Sequence, residues 1–131
     1  MMRIDCQSHV FPRVYIEILT QNPKPPQVVK TGSELVVKFP NGGQIQMQEE
    51  KYDIKRKLQD MDRAGIDISI ISVNIPGPCS LPQELGLKAS QAINNYIAEV
   101  IRSYPERFAG IAVLPWQDVD AALKEMDRAR E

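Results

Sequence analysis

Asp5, Gln7 and His9, spaced two apart in Arg3-Ile4-Asp5-Cys6-Gln7-Ser8-His9-Val10-Phe11-Pro12, are the residues best equipped for chemistry. His9 is the only histidine among 131 residues. If the run to His9 is extended, a period of two puts Asp5, Gln7 and His9 on one face and Cys6 and Ser8 on the other. An acid, an amide and an imidazole sharing the end of a strand are costly to bury without partners. A metal ion or an anionic substrate would satisfy them. Cys6 and His9, on opposite faces, make a poor ligand pair. Each residue also has a plainer reading: His9 as a loop histidine bonded to backbone, and Asp5 as an acceptor for a neighbouring N–H.

Three further residues stand where a substrate could meet them. Arg13, just past Pro12, offers a guanidinium to a carboxylate; the competing reading is a solvated loop residue. Asn74 and Trp116 each follow a predicted strand, and Trp116 is as well explained by packing. Asp62 and Asp67 flank a helix stop at Gly65 and read as cap or surface residues. Cys79 sits in a proline-rich loop with no adjacent base to activate it.

The elements that must position these groups follow from periodicity. Arg13 to Thr20 fits a short helix or continued extended chain. Asn22-Pro23-Lys24-Pro25-Pro26 ends it, because prolines remove backbone donors. Leu35 to Phe39 and Gln44 to Gln48, joined by Pro40-Asn41-Gly42-Gly43, predict a hairpin, since Asn and Gly tolerate positive φ. This polar stretch, about 20–50, reads as an insertion after strand one. Ile54, Leu58 and Met61 then follow a helical period, with Asp53 as cap and Gly65 as stop. Ile66 to Val73 predicts a strand, Pro82 to Tyr104 a long helix, and Arg107 to Pro115 a third strand. Asp118 caps a last helix with Val119, Ala122, Leu123 and Met126 facing inward.

Strands alternating with helices predict an α/β fold with a parallel sheet and right-handed crossovers. An open doubly wound sheet would be complete at this length, whereas a (β/α)8 barrel needs about 250 residues and would be half present. No phosphate-cradling glycine loop follows any strand, and polar groups at a strand end favour the barrel. A single domain spans 1–131. The formal charge of -1, from 16 basic and 17 acidic side chains, gives no bulk attraction to nucleic acid or to a membrane surface. With no span-length apolar run and no signal-peptide core, the expected location is cytoplasmic. Two cysteines without repeated spacing fit that location and make neither a disulfide framework nor a zinc knuckle.

Four stretches, in order, make the chain resemble the metal-dependent amidohydrolase superfamily, in the branch of aminocarboxymuconate-semialdehyde and aromatic-acid decarboxylases. They are Arg3-Ile4-Asp5 through Ser8-His9 and Phe11-Pro12, Met61-Asp62-Arg63-Ala64-Gly65-Ile66-Asp67, Tyr104-Pro105-Glu106-Arg107-Phe108, and Leu114-Pro115-Trp116-Gln117-Asp118. The resemblance implies the N-terminal portion of a TIM-like (β/α)8 barrel. It also implies a divalent metal, zinc foremost, held at Asp5, Gln7 and His9, and a small carboxylated substrate. The family pattern is Asp-x-His-x-His, and here Gln7 replaces the first histidine. Gln7 is then a weak oxygen ligand, a donor to substrate, or a lost ligand. The later strands and their ligands are also missing. The expected activity is hydrolysis or decarboxylation, truncated and weak or absent in this chain alone. The alternative is a non-catalytic α/β module that forms a homo-oligomer or pairs with a companion chain through its open edges.

Overall fold

The computed structural model describes residues 1–32, 34–48 and 52–130. Ser33 and positions 49–50 of the expected insertion lie outside the described residues. Along the chain the elements are β1 (Ile4–Val10), α1 (Arg13–Gln21), β2 (Gln27–Thr31), β3 (Glu34–Lys38), β4 (Gln44–Met47), α2 (Ile54–Ala64), β5 (Ile68–Val73), α3 (Gln83–Ser103), β6 (Phe108–Gly110) and α4 (Val119–Ala129). A 3-10 turn, Pro78–Ser80, precedes α3.

Two sheets result. β1, β5 and β6 pair in parallel in that order, and β2, β3 and β4 form an antiparallel sheet. Helices α2 and α3 cross between successive parallel strands, as they do at the start of a (β/α)8 barrel. In the small sheet the sequence reading lacked β2, whose residues follow the prolines and pair along their length with β3. The β3 to β4 turn closes through Phe39 and Gly43, with Gly42 at φ 82°. This sheet packs its Val28, Leu35, Val37 and Met47 into the same core as Tyr15, Ile18 and Leu19 of α1. Arg13 to Thr20 is therefore helix, because its apolar residues have one buried face to fill.

α2 has the expected ends. Asp53 accepts from the N–H groups of Lys55 and Arg56 at 2.7 and 3.2 Å, and Gly65 takes the left-handed conformation at φ 66°. α3 buries Ala89, Ile93, Ile97 and Val100 against the sheet. Gly110 of β6 allows that contact, since a Cβ there would collide with Ile97 and Ile101.

Three expectations need correction. First, β6 covers Phe108–Gly110, whereas 107–115 was expected to be strand. Farther along, the Asn94 side chain takes the place of a neighbouring strand: its Nδ2 donates to the Val113 carbonyl at 2.9 Å and its Oδ1 accepts from the Val113 N–H at 2.8 Å. Second, Val119, Leu123 and Met126 of α4 are 71%, 53% and 40% exposed. The helix meets α3 along Ala122 and Glu125 instead, because the Glu125 carboxylate is bound there by Asn94 at 2.7 Å.

The third correction concerns β1. Asp5 pairs with Ser69 and Ser8 with Ile71, so three steps on β1 span two on β5. The extra residue is a bulge, and it reverses the alternation beyond it. Asp5 and Ser8 share the face of Ser69 and Ile71, the side to which Lys57 of α2 reaches, whereas His9 shares the opposite, concave face with Ser72. Asp5, Gln7 and His9 therefore do not line up as strict alternation requires.

Candidate functional site at the strand ends

His9 lies one residue before the end of β1, half-buried, and its Nδ1 is 3.1 Å from the Ser72 hydroxyl near the end of β5. Both strands run the same way, so the pair sits at the carboxyl end of the sheet, on the concave side. In barrel enzymes that end carries the chemistry. With Nδ1 engaged by Ser72, Nε2 is the ring nitrogen that a ligand could take. Sequence reading missed Ser72, although a hydroxyl among the apolar residues of the strand Ile66 to Val73 was the signal.

Asp5 is occupied elsewhere. Its carboxylate accepts from the Gln7 N–H at 3.1 Å and from the Ser69 hydroxyl at 3.3 Å. Lys57 of α2 comes down on the same face and donates to Ser8 Oγ at 2.9 Å. Burial pushes the Lys57 ammonium below its ordinary value, partly opposed by the Asp5 and Asp60 carboxylates. Lys57 was also missed; it sits three residues after Ile54 and one before Leu58, on the inward side of the helix. Gln7 is exposed and lies within the bulge.

The three expected substrate contacts are dispersed. Asn74 donates from Nδ2 to the Tyr52 hydroxyl at 3.0 Å, while its Oδ1 accepts from the Ile75 N–H at 2.8 Å. It orders Tyr52, whose ring meets Phe11 with centroids 5.6 Å apart. Arg13 pairs with Glu17 at 3.7 Å and lines a cleft of about 820 Å3 between the small sheet and the start of α2. Lys30, Tyr52, Lys55 and Tyr96 also line this cleft, and His9 does not. Trp116 is 71% exposed, so it does not pack within this chain.

The fit to a metal is incomplete. Among the described residues, no three His, Cys, Asp or Glu side chains converge on one point. His9 is one well-placed imidazole, the Asp5 carboxylate points to the far face, and Gln7 can offer only a neutral carbonyl oxygen. One ligand of this kind does not hold a divalent ion.

At the opposite end of the sheet, three stretches of the resemblance meet in space. Arg107 donates to Asp62 Oδ1 at 2.8 Å and to the carbonyls of Asp67 and Ile66 at 3.0 and 3.3 Å. Asp67 in turn accepts from the Arg3 N–H at 2.7 Å. These residues tie the starts of β1, β5 and β6 together. Their role is structural, at the end of a barrel where stability is set. No helix of the described residues is long and apolar enough to cross a membrane.

No family profile matches the chain. Among curated proteins it is 38% identical over 77 residues to the gamma-resorcylate decarboxylase of Rhodococcus jostii, covering 58% of this chain and 23% of that one. It is 31% identical over 80 residues to the 2-amino-3-carboxymuconate-6-semialdehyde decarboxylase of Dictyostelium discoideum, covering 59% and 22%. The chain thus spans about a quarter of the length of these relatives. Among solved structures, 5-carboxyvanillate decarboxylase from Sphingomonas paucimobilis superposes with a TM-score of 0.73 at 20% identity, over 98% of this chain and 39% of that one. Dihydroxybenzoic acid decarboxylase from Polaromonas, solved with manganese and 2-nitroresorcinol, gives 0.67 at 23% identity, over 97% and 34%. The relatives of this chain include gamma-resorcylate and aminocarboxymuconate-semialdehyde decarboxylases, and its fold matches about a third of the chain of solved decarboxylases and amidohydrolases.

Proposed function

We propose that these residues form the N-terminal portion of a metal-dependent decarboxylase barrel acting on a small, carboxylated aromatic substrate. The observation that carries the reading is the placement of His9, backed by Ser72, on the concave face at the carboxyl ends of parallel strands. The sequence relatives include decarboxylases at 31% to 38% identity, beside a 2-keto-4-carboxy-3-hexenedioate hydratase at 29%, and two structural neighbours were solved with manganese. His9 is then one ligand of a divalent metal, with the others supplied from outside these 131 residues. Manganese suits such a site as well as zinc does, since an imidazole combined with carboxylates serves either ion. Arg13 and Tyr52, the latter ordered by Asn74, line a neighbouring cleft, and Trp116 offers an exposed ring outside it.

A second reading, association with a companion chain or another copy, is favoured by the open outer edges of β1 and β6 and by the exposed apolar side of α4. The two readings are compatible if the partner completes the barrel. The experiment complements the chain with the remaining length of the Rhodococcus jostii relative and measures carbon dioxide release from 2,6-dihydroxybenzoate with added manganese. Activity that appears on complementation and falls at least about a hundredfold in His9→Ala is the expected result, in line with removal of a metal ligand. Equal activity with and without the His9 imidazole would overturn it.

A further inference from the structure

The bulge in β1 decides which way His9 faces, and side chains hold it in place. A residue inserted into a strand has no ladder partner of its own, so the ladder alone does not hold it. Across Asp5 to Ser8 three side-chain bonds do. The Gln7 N–H and the Ser69 hydroxyl both donate to Asp5, at 3.1 and 3.3 Å, and Lys57 Nζ donates to Ser8 Oγ at 2.9 Å. The first two brace the start of the bulge. Only the third reaches its far side, next to His9.

We infer that Lys57 is a positioning residue whose bond to Ser8 fixes the β1 bulge and thereby aims His9 at the concave face. Without the extra residue, regular pairing from Asp5 and Ser69 would set Gln7 opposite Ile71 and His9 opposite Val73. His9 would then face α2, because a one-residue slip moves every side chain beyond it to the other side. Ser8 would move to the concave face in its place. Ser8 is 6% exposed in the bulged register, where its hydroxyl is shut away from water and bonded to Lys57. Deleting the ammonium leaves that hydroxyl buried without its donor, a cost borne by the bulged register alone. The Asp5 and Asp60 carboxylates lie close enough to balance the Lys57 charge. The inference rests on the reading of His9 as a ligand only for its consequence in catalysis; the orientation itself is tested without metal.

Because His9 is the chain's single histidine, its ring signals identify themselves in a long-range 1H–15N spectrum. In the metal-free parent chain, above the imidazole pKa, the Ser72 contact is expected to hold one tautomer. Lys57→Met and Ser8→Ala should each collapse the two ring-nitrogen shifts toward the averaged values of free imidazole, and Lys57→Arg should restore the separation. A folded Lys57→Met chain with lower thermal stability and unchanged ring signals would show packing alone and overturn the proposal. If Lys57→Met does not fold, Ser8→Ala decides in the same way: unchanged ring signals in that variant overturn it. Failure of the manganese reading would appear in carbon dioxide release and leave these spectra as they are.

Discussion

Asp5 and His9, four residues apart on one strand, face opposite sides of the sheet, the first bonded to Ser69 and the second to Ser72. A regular strand would have put them together. The two serines three residues apart on β5 are the clearest record of the reversal, since β5 itself alternates normally while its neighbour does not.

Among the described residues Ser72 is the hydrogen-bond partner of the imidazole, so it sets which ring nitrogen is free. Ser72→Ala should cost little stability, about 0.5–1.5 kcal/mol for one half-buried bond. Its larger effect is on the ring, where both tautomers should become populated. The long-range 1H–15N spectrum of His9 checks this, and one retained tautomer in Ser72→Ala would mean that another group orients the ring.

Glu125 provides a pH test at the α3 to α4 contact. Burial by itself raises its pKa, but bonds from Arg128 at 2.7 and 2.8 Å and from Asn94 at 2.7 Å outweigh this and hold the carboxyl below its usual range. A carboxyl with a depressed folded-state pKa stabilises the fold above its unfolded pKa, and the gain is lost as pH falls through the folded value. Stability should therefore drop from the ordinary carboxylate range downward. Glu125→Gln should flatten that acid limb in part. Asp118, lowered chiefly by the Ala121 N–H and by Gln83, keeps contributing to the remainder. Asn94→Ala leaves the Val113 N–H and C=O unpaired, removes one donor from Glu125, and should cost about 2 kcal/mol at neutral pH. Urea midpoints across pH measure both effects.

Much of this fold was legible because local chemistry and tertiary packing agree. Asp53 and Gly65 bracket α2 as any isolated helix would require, and the apolar face of α3 meets a sheet that needs covering. The three corrected expectations have one physical origin: contacts made by polar side chains far away in sequence. Asn94 replaces a strand partner at Val113, Glu125 draws α4 onto α3 by a polar edge, and Lys57 with Asp5 holds a bulge that no period of two reveals. His9 was legible by type and by its place before Pro12. Its partner Ser72, 63 residues on, was not.

Arg107 should matter for stability and not for chemistry. Its fork serves one carboxylate and two carbonyls at the starts of β5 and β6. Arg107→Ala should cost about 1–2 kcal/mol, given partial exposure of the pair. Arg107→Lys should recover less than half of this, because an ammonium lacks the planar fork. Thermal denaturation gives the comparison, and a full rescue by lysine would mean that charge alone is sufficient.

The apolar side of α4 ties stability to association. Val119, Leu123 and Met126 lie four and three residues apart, on neighbouring turns of one face, and all three are exposed. An apolar row of this kind on a helix is buried when a partner lies across it. Leu123 is 53% exposed in the chain alone, so Leu123→Glu should shift stability by no more than about 0.5 kcal/mol. The same substitution should reduce concentration-dependent self-association, and it should weaken complementation with the remaining length of the Rhodococcus jostii relative by at least about tenfold. Light scattering across a dilution series reads the first effect and the concentration needed for half-maximal carbon dioxide release reads the second. If both are unchanged while stability holds, the contact surface is the open edge of β1 or β6, where backbone N–H and C=O groups await a strand.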